Sequence, residues 1–233
     1  MQQRRAAIYG GTFDPVHNGH VEVARRVQKL FALDEVIFVP ACVPPHKRNA
    51  SITSAFHRFA MLALATAADE RLSVSTIELD QPERPYAVET VARVREKLGS
   101  SHRLFFLMGA DSWLEVTTWR DWQRLLKLSD QIVMTRPGYE LKANSVDGAR
   151  IIDTRGLSAE ETSGLIDESS APATFFSDAV FEDVSATAIR AAAREGNAEG
   201  LRQLVPAAVA TYIEKYGLYK GNESKFERES INV

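Results

Sequence analysis

The chain predicts an α/β protein, a doubly wound parallel sheet with a helical C-terminal part, and three observations lead there. Short apolar runs alternate with longer amphipathic ones along most of its 233 residues. Several short runs are apolar at consecutive positions, as in Val36-Ile37-Phe38-Val39 and Leu104-Phe105-Phe106-Leu107-Met108, which is how strands covered on both faces read. Strict alternation also implies βαβ crossovers, with ligands bound at the carboxyl ends of the strands.

Taken in order, residues 6–9 form the first expected strand and residues 21–31, amphipathic, the first helix. A strand at 36–39 and a helix at 54–68 follow, then a strand at 72–79 and a helix at 87–98. The run at 104–108 is the fourth strand, 119–128 a helix, 132–135 the fifth strand and 174–176 the sixth. The polar stretch 156–172 between them reads as a surface excursion or a short helix with loop. Helices are expected at 185–195, 201–204 and 206–216, the last with Pro206 in its first turn. Residues 1–219 read as one domain, with its C-terminal helical part at about 185–219 and a polar tail at 220–233 that frays.

Composition sets the outer limits. The hydrophobic fraction of 45% and charged fraction of 25% are those of a soluble globular protein. A net charge of -3 gives no electrostatic reason to expect nucleic acid as a partner. The single cysteine, Cys42, excludes an intramolecular disulfide and reads as a packing residue in a reducing compartment. No segment reaches the roughly 18 apolar residues of a membrane span. The expectation is a cytoplasmic protein with no membrane partner, and a homo-oligomer is left open.

Four constellations carry chemistry. The first is Gly10-Gly11-Thr12-Phe13-Asp14-Pro15-Val16-His17-Asn18-Gly19-His20, between the first strand and the first helix. Glycine backbone, a helix N-terminus and two imidazoles around one crevice suit a phosphate chain. The second, Pro44-Pro45-His46-Lys47, follows the second strand and could hold another anion, with Arg58 in the next helix able to reach the same place. The third is Gly109-Ala110-Asp111 after the fourth strand, followed by Trp119, whose flat face suits an aromatic ring. Arg136-Pro137-Gly138 adds a cation after the fifth strand. The fourth is Ser185-Ala186-Thr187-Ala188-Ile189-Arg190, where Ser185 is a good N-cap and the helix start makes a second anion site. No Walker-type phosphate loop and no G-x-G-x-x-G fingerprint occur.

In this order and along nearly the whole chain, these motifs resemble those of the bacterial nicotinate-nucleotide adenylyltransferases, within the nucleotidylyltransferase superfamily. The resemblance runs from Gly10 to about Tyr219 and includes Pro206, Val209, Tyr212, Ile213 and the ending Leu218-Tyr219. Two positions depart from the pattern: Ala186 replaces the second serine of Ser-Ser-Thr, and Ala87 replaces the threonine after Tyr86.

The resemblance implies a Rossmann-like sheet of the nucleotidylyltransferase type and a transfer of the adenylyl group of ATP to nicotinate mononucleotide, giving deamido-NAD and pyrophosphate. It implies that His17, His20 and Arg190 serve catalysis, and that ATP meets Gly10, Gly11, Thr12, Phe13, His17, His20, Gly109, Asp111, Ser185, Thr187 and Arg190. Lys47, Arg58, Tyr86, Ala87, Trp119 and Arg136 would receive the mononucleotide. Mg²⁺ is expected on the ATP phosphates and no dedicated metal site. A sister transferase acting on nicotinamide mononucleotide or phosphopantetheine, a cytidylyl transfer to a polyol phosphate, and a nucleotide-binding protein without catalysis remain the alternatives.

Overall fold

Strands that are apolar at every position need a helical layer on each side, and the fold supplies both. The computed structural model describes residues 3–42, 52–81, 85–135, 146, 148–170, 172–179 and 185–220. Among these, seven strands form one parallel sheet: β1 (Arg4–Gly11), β2 (Glu35–Pro40), β3 (Leu72–Val74), β4 (His102–Gly109), β5 (Asp130–Met134), β6 (Ile151–Asp153) and β7 (Thr174–Ser177). Their spatial order is β3-β2-β1-β4-β5-β7-β6. The helices are α1 (Asn18–Leu30), α2 (Ala55–Thr66), α3 (Ala87–Leu98), α4 (Ala110–Leu114), α5 (Trp122–Leu128), α6 (Ala159–Glu168), α7 (Ala186–Glu195), α8 (Ala198–Leu204) and α9 (Ala207–Tyr216), with a 3-10 turn at Val116–Thr118.

Alternate residues of each strand feed the two layers. Ala7, Tyr9, Phe38, Phe105, Leu107, Ile132 and Phe175 pack with α1, α2 and the C-terminal helices. Ala6, Ile8, Ile37, Leu104, Phe106, Met108 and Val133 pack instead with α3, α4 and α5. The order in which successive strands are added reverses between β1 and β4, which are parallel neighbours in space though three strands apart in the chain. That is the switch point at which an α/β sheet opens a crevice beyond its strand ends. Gly10 and Gly11 close β1 there, and Gly109 closes β4.

The doubly wound parallel sheet predicted from the sequence is thus the observed one, with local differences at β3, at β6, at α4, which no expected element covers, and at the start of α5. β3 stops at Val74, because its pairing with β2 ends at Phe38↔Val74 and the chain turns at residues 76–80. β6 is absent from the expected elements. It is a three-residue edge strand whose residues are all at least partly exposed, so no apolar run marks it. The helix expected at 119–128 begins at Trp122, because Asp121 takes a left-handed backbone (φ 52) and breaks the run. The stretch 156–172 contains α6, started by a Ser158 hydroxyl that accepts from Glu161 N–H at 3.2 Å. At the opposite end of the sheet from the crevice, Arg103 forks onto Asp130 (2.8 and 2.9 Å) and Arg5 meets Asp167 (2.6 Å), which ties α6 to the amino ends of the strands.

Candidate active site

Two glycines in succession end β1, and the second has a steric reason to be there. A Cβ on Gly11 would stand 2.9 Å from the Phe13 ring, which folds back over the strand end. Phe13 itself has a left-handed backbone (φ 50), unusual for a bulky residue and a sign of a shape held by its surroundings. Its buried ring meets Tyr9, Phe38 and His20 edge-on, with centroids 5.4, 5.5 and 5.0 Å away. The loop after it ends at His17, the N-cap of α1.

His17 and His20, one helical turn apart, stack with centroids 3.6 Å apart. The backbone N–H of His17 donates to Nδ1 of His20 at 3.3 Å. An Nδ1 that accepts fixes the neutral tautomer with its proton on Nε2, so His20 presents an N–H donor. Nδ1 of His17 is buried and has no hydrogen-bond partner among the described residues, so a ligand could complete it. Burial lowers the pKa of His17 to about 4; burial and then the neighbouring His17 lower that of His20 to about 3.

This pair carries a prediction about acid stability. The unfolded chain takes up two protons near pH 6.5 that the folded chain refuses until about pH 4 and below. Stability is therefore complete above pH 6.5 and falls as the pH drops towards 4, with a slope of about 1.4 kcal/mol per pH unit for each such proton. Urea midpoints measured across this range should show the fall. The double change His17→Gln/His20→Gln should flatten it, and an unchanged slope would assign the acid sensitivity elsewhere.

Arg190 brings α7 onto the same loop. Its guanidinium donates to the Asp14 carbonyl at 2.8 Å and to the Thr187 hydroxyl at 3.2 Å. Ser185 stands at the N-cap position as expected, but its hydroxyl makes no capping bond. Gly109, the N-cap of α4, has an ordinary φ of -77, and a Cβ there would meet no protein atom within 4 Å. No described residue requires a glycine at that point, which opens on the crevice beyond the strand ends. Asp111 is exposed one residue into α4. Among the described residues, no group of three or more His, Cys, Asp or Glu side chains is arranged to hold a metal ion.

Further candidate residues lie beside α3 and the 3-10 turn. Tyr86 is the N-cap of α3 and Ala87 its first residue. Trp119 is partly exposed and meets the Phe106 ring edge-on at 6.4 Å. Arg120 is not among the residues the sequence singles out; its guanidinium lies 4.6 Å over the ring of Tyr86, so a cation sits at the head of α3. A lone arginine after a tryptophan gives no such signal in sequence.

Arg58 departs from the expectation that it receives substrate. Its side chain is fully buried, and its three donating nitrogens each serve a carbonyl: Thr53 at 2.9 Å, Thr12 at 2.6 Å and Ala41 at 2.7 Å. It holds three segments together instead of offering a cation to a ligand. Lys47 and Arg136 lie outside the described residues.

The structure therefore joins Gly10, Gly11, Thr12, Phe13, His17 and His20 with Arg190 and Thr187 through Asp14. It also sets Gly109 and Asp111 at the neighbouring strand end, across the switch point.

Residues 8–192 match the family described as Cytidylyltransferase-like. The chain is 36% identical over 222 residues to a probable nicotinate-nucleotide adenylyltransferase of Thermoanaerobacter sp. (strain X514), covering 95% of this chain and 97% of the relative. It is 38% identical over 216 residues to a protein of the same description from Moorella thermoacetica, covering 93% and 92%. Among solved structures, the Plasmodium falciparum nicotinic acid mononucleotide adenylyltransferase complexed with NaAD superposes with a TM-score of 0.67 at 17% identity, covering 94% of this chain and 98% of that one. No helix among the described residues is long and apolar enough to cross a membrane. With a family match over most of its length and relatives above 35% identity along almost all of it, the chain belongs to the cytidylyltransferase-like family and, within it, to the nicotinate-nucleotide adenylyltransferases.

Proposed function

We propose that this chain transfers the adenylyl group of ATP to nicotinate mononucleotide, forming deamido-NAD and pyrophosphate. The observation that carries the reading is the stacked His17–His20 pair at the head of α1, with Arg190 anchored to the same loop. An oxygen of the acceptor's 5′-phosphate attacks the α-phosphorus of ATP, and the bond from that phosphorus to the bridging oxygen of the β-phosphate breaks. The attacking phosphate is already an anion at neutral pH, so no base has to remove a proton. What the protein supplies is alignment of two polyanions and stabilisation of the charge that develops between them.

In this reading His20 donates Nε2–H to the reacting phosphate, and a phosphate oxygen completes His17. Arg190, Ser185 and Thr187 hold the β and γ end, and Gly10, Gly11, Thr12, Phe13, Gly109 and Asp111 line the way to the adenosine. Mg²⁺, brought as part of the ATP co-substrate, would supply positive charge at the phosphates. The pyridine stacks on Trp119, and its carboxylate lies at the head of α3, where the positive end of the helix dipole and Arg120 outweigh the Glu89 carboxylate that caps Tyr86 N–H. Ala87 has no hydroxyl, so any hydrogen bond it makes there is through its backbone. Lys47 and Arg136 are proposed for the mononucleotide phosphate from the family pattern; Arg58 is not.

Pyrophosphate release from Mg²⁺-ATP with nicotinate mononucleotide, nicotinamide mononucleotide and phosphopantetheine, each alone, tests the reading. Preference for the nicotinate form supports it; release with another acceptor alone moves the chain to a sister activity, and none with any acceptor overturns catalysis. Trp119→Ala should raise KM for the mononucleotide roughly tenfold and leave that for ATP nearly unchanged. Equal changes in both would argue against stacking. Gly109→Ala should leave the unfolding free energy from urea titration within about 0.5 kcal/mol of wild type yet weaken ATP binding, read by calorimetry. Unaltered ATP affinity would remove Gly109 from the nucleotide site.

A further inference from the structure

Asp14 sits in the middle of the phosphate loop and is itself assigned no contact with substrate, yet three parts of the chain converge on it. Its carbonyl accepts from Arg190 at 2.8 Å, its Oδ2 from the backbone N–H of Thr53 at 3.3 Å, and its Oδ1 from the hydroxyl of Tyr219 at 2.7 Å. Tyr219 follows α9 and lies 205 residues further along the chain. Like Phe13, it has a left-handed backbone, with φ 68. Two non-glycine residues in this uncommon region therefore flank a single hydrogen bond, and such residues persist where the surroundings fix them. On the other side of Phe13, Arg58 fixes the Thr12 carbonyl. The left-handed step of the loop is thus bracketed at both neighbours by groups from outside it.

We propose that Tyr219 is a positioning residue for adenylyl transfer, acting through Asp14 to set the relative placement of Arg190 and the Phe13–His20 contact. This rests on the adenylyl-transfer reading above. The hydroxyl itself stays out of the reaction. Without it Asp14 keeps Thr53 and Arg190 but loses a charge-assisted bond, and the loop gains freedom where it joins Phe13 to His17. Binding is shared among many groups and changes little; the alignment needed in the transition state is lost, and small misplacements cost rate steeply.

The test is Tyr219→Phe, which removes one oxygen and leaves the ring. The expected result is a kcat lower by roughly tenfold or more, with KM for ATP and for the mononucleotide each within about twofold and Tm lower by only a few degrees, as the loss of one hydrogen bond requires. In an Asp14→Ala background the same change should add almost nothing, because the two act as one unit. An unchanged kcat, or a loss of rate matched by a loss of folded protein, overturns the proposal. Nitrogen-15 spectra of the histidine rings give an answer independent of turnover. Displaced His17 and His20 signals in Tyr219→Phe support the proposal and identical ones sink it, even if the wild-type protein proves inactive with every acceptor.

Discussion

Replacing His20 by alanine should lower kcat by roughly 10² to 10³, the range seen when one donor to a developing oxyanion is removed. The size follows from how fully the protein prepares this nitrogen. The His17 backbone N–H fixes the tautomer at 3.3 Å, and Phe13 and His17 hold the ring on two sides. A donor held in place before the reaction has no reorganisation left to make when charge appears on the phosphate. The low pKa ensures that it acts as a neutral N–H donor in the free protein at neutral pH. Circular dichroism and a melting curve would establish that the variant folds. A folded variant that turns over at nearly the wild-type rate would take His20 out of the mechanism.

Arg58→Ala should be the most destabilising change near the site, at about 3 kcal/mol or more. Removing the guanidinium leaves the carbonyls of Thr12, Ala41 and Thr53 without their donor, each at a cost of about 1–3 kcal/mol where water cannot replace it. Burial lowers the pKa of this group and the Asp14 carboxylate raises it again, so the cation has a partial counter-charge nearby. Lysine would keep the charge but not the fork that reaches three acceptors, and Arg58→Lys should recover only part of the loss. Urea titration of the two variants decides it, and a change under about 1 kcal/mol for alanine would mean that the loops find other donors.

The sheet is legible because burial on both faces leaves a continuous apolar run, as at residues 36–39 and 104–108, and few surface elements produce one. β6 is not, because a three-residue edge strand needs no such run. Asp121 illustrates a second limit: its left-handed turn separates Trp119 from α5, and an aspartate in a helical pattern does not announce that. In the site, the residues from Gly10 to His20 can be read because they are contiguous, so one segment specifies strand end, loop and helix start. Arg58 misleads for the converse reason. Its three acceptors come from three segments, and an arginine inside an amphipathic helix ordinarily reaches solvent. Arg120 and Asp14 belong to the same class, as side chains whose meaning lies in a distant partner.

The bond between Asp14 and Tyr219 also orders events in time. During synthesis the loop near the start of the chain leaves the ribosome early, and β1 can pair with β2 while most of the protein is unmade. The contacts that shape that loop arrive with Arg190, 176 residues after Asp14, and with Tyr219, 205 residues after it. Loop closures of this span come late in folding, since their entropy must be met before the contact is gained. A nascent chain would therefore carry both histidines and both strand-end glycines well before it could align a phosphate. Catalytic competence would follow completion of the C-terminal helices instead of growing with chain length.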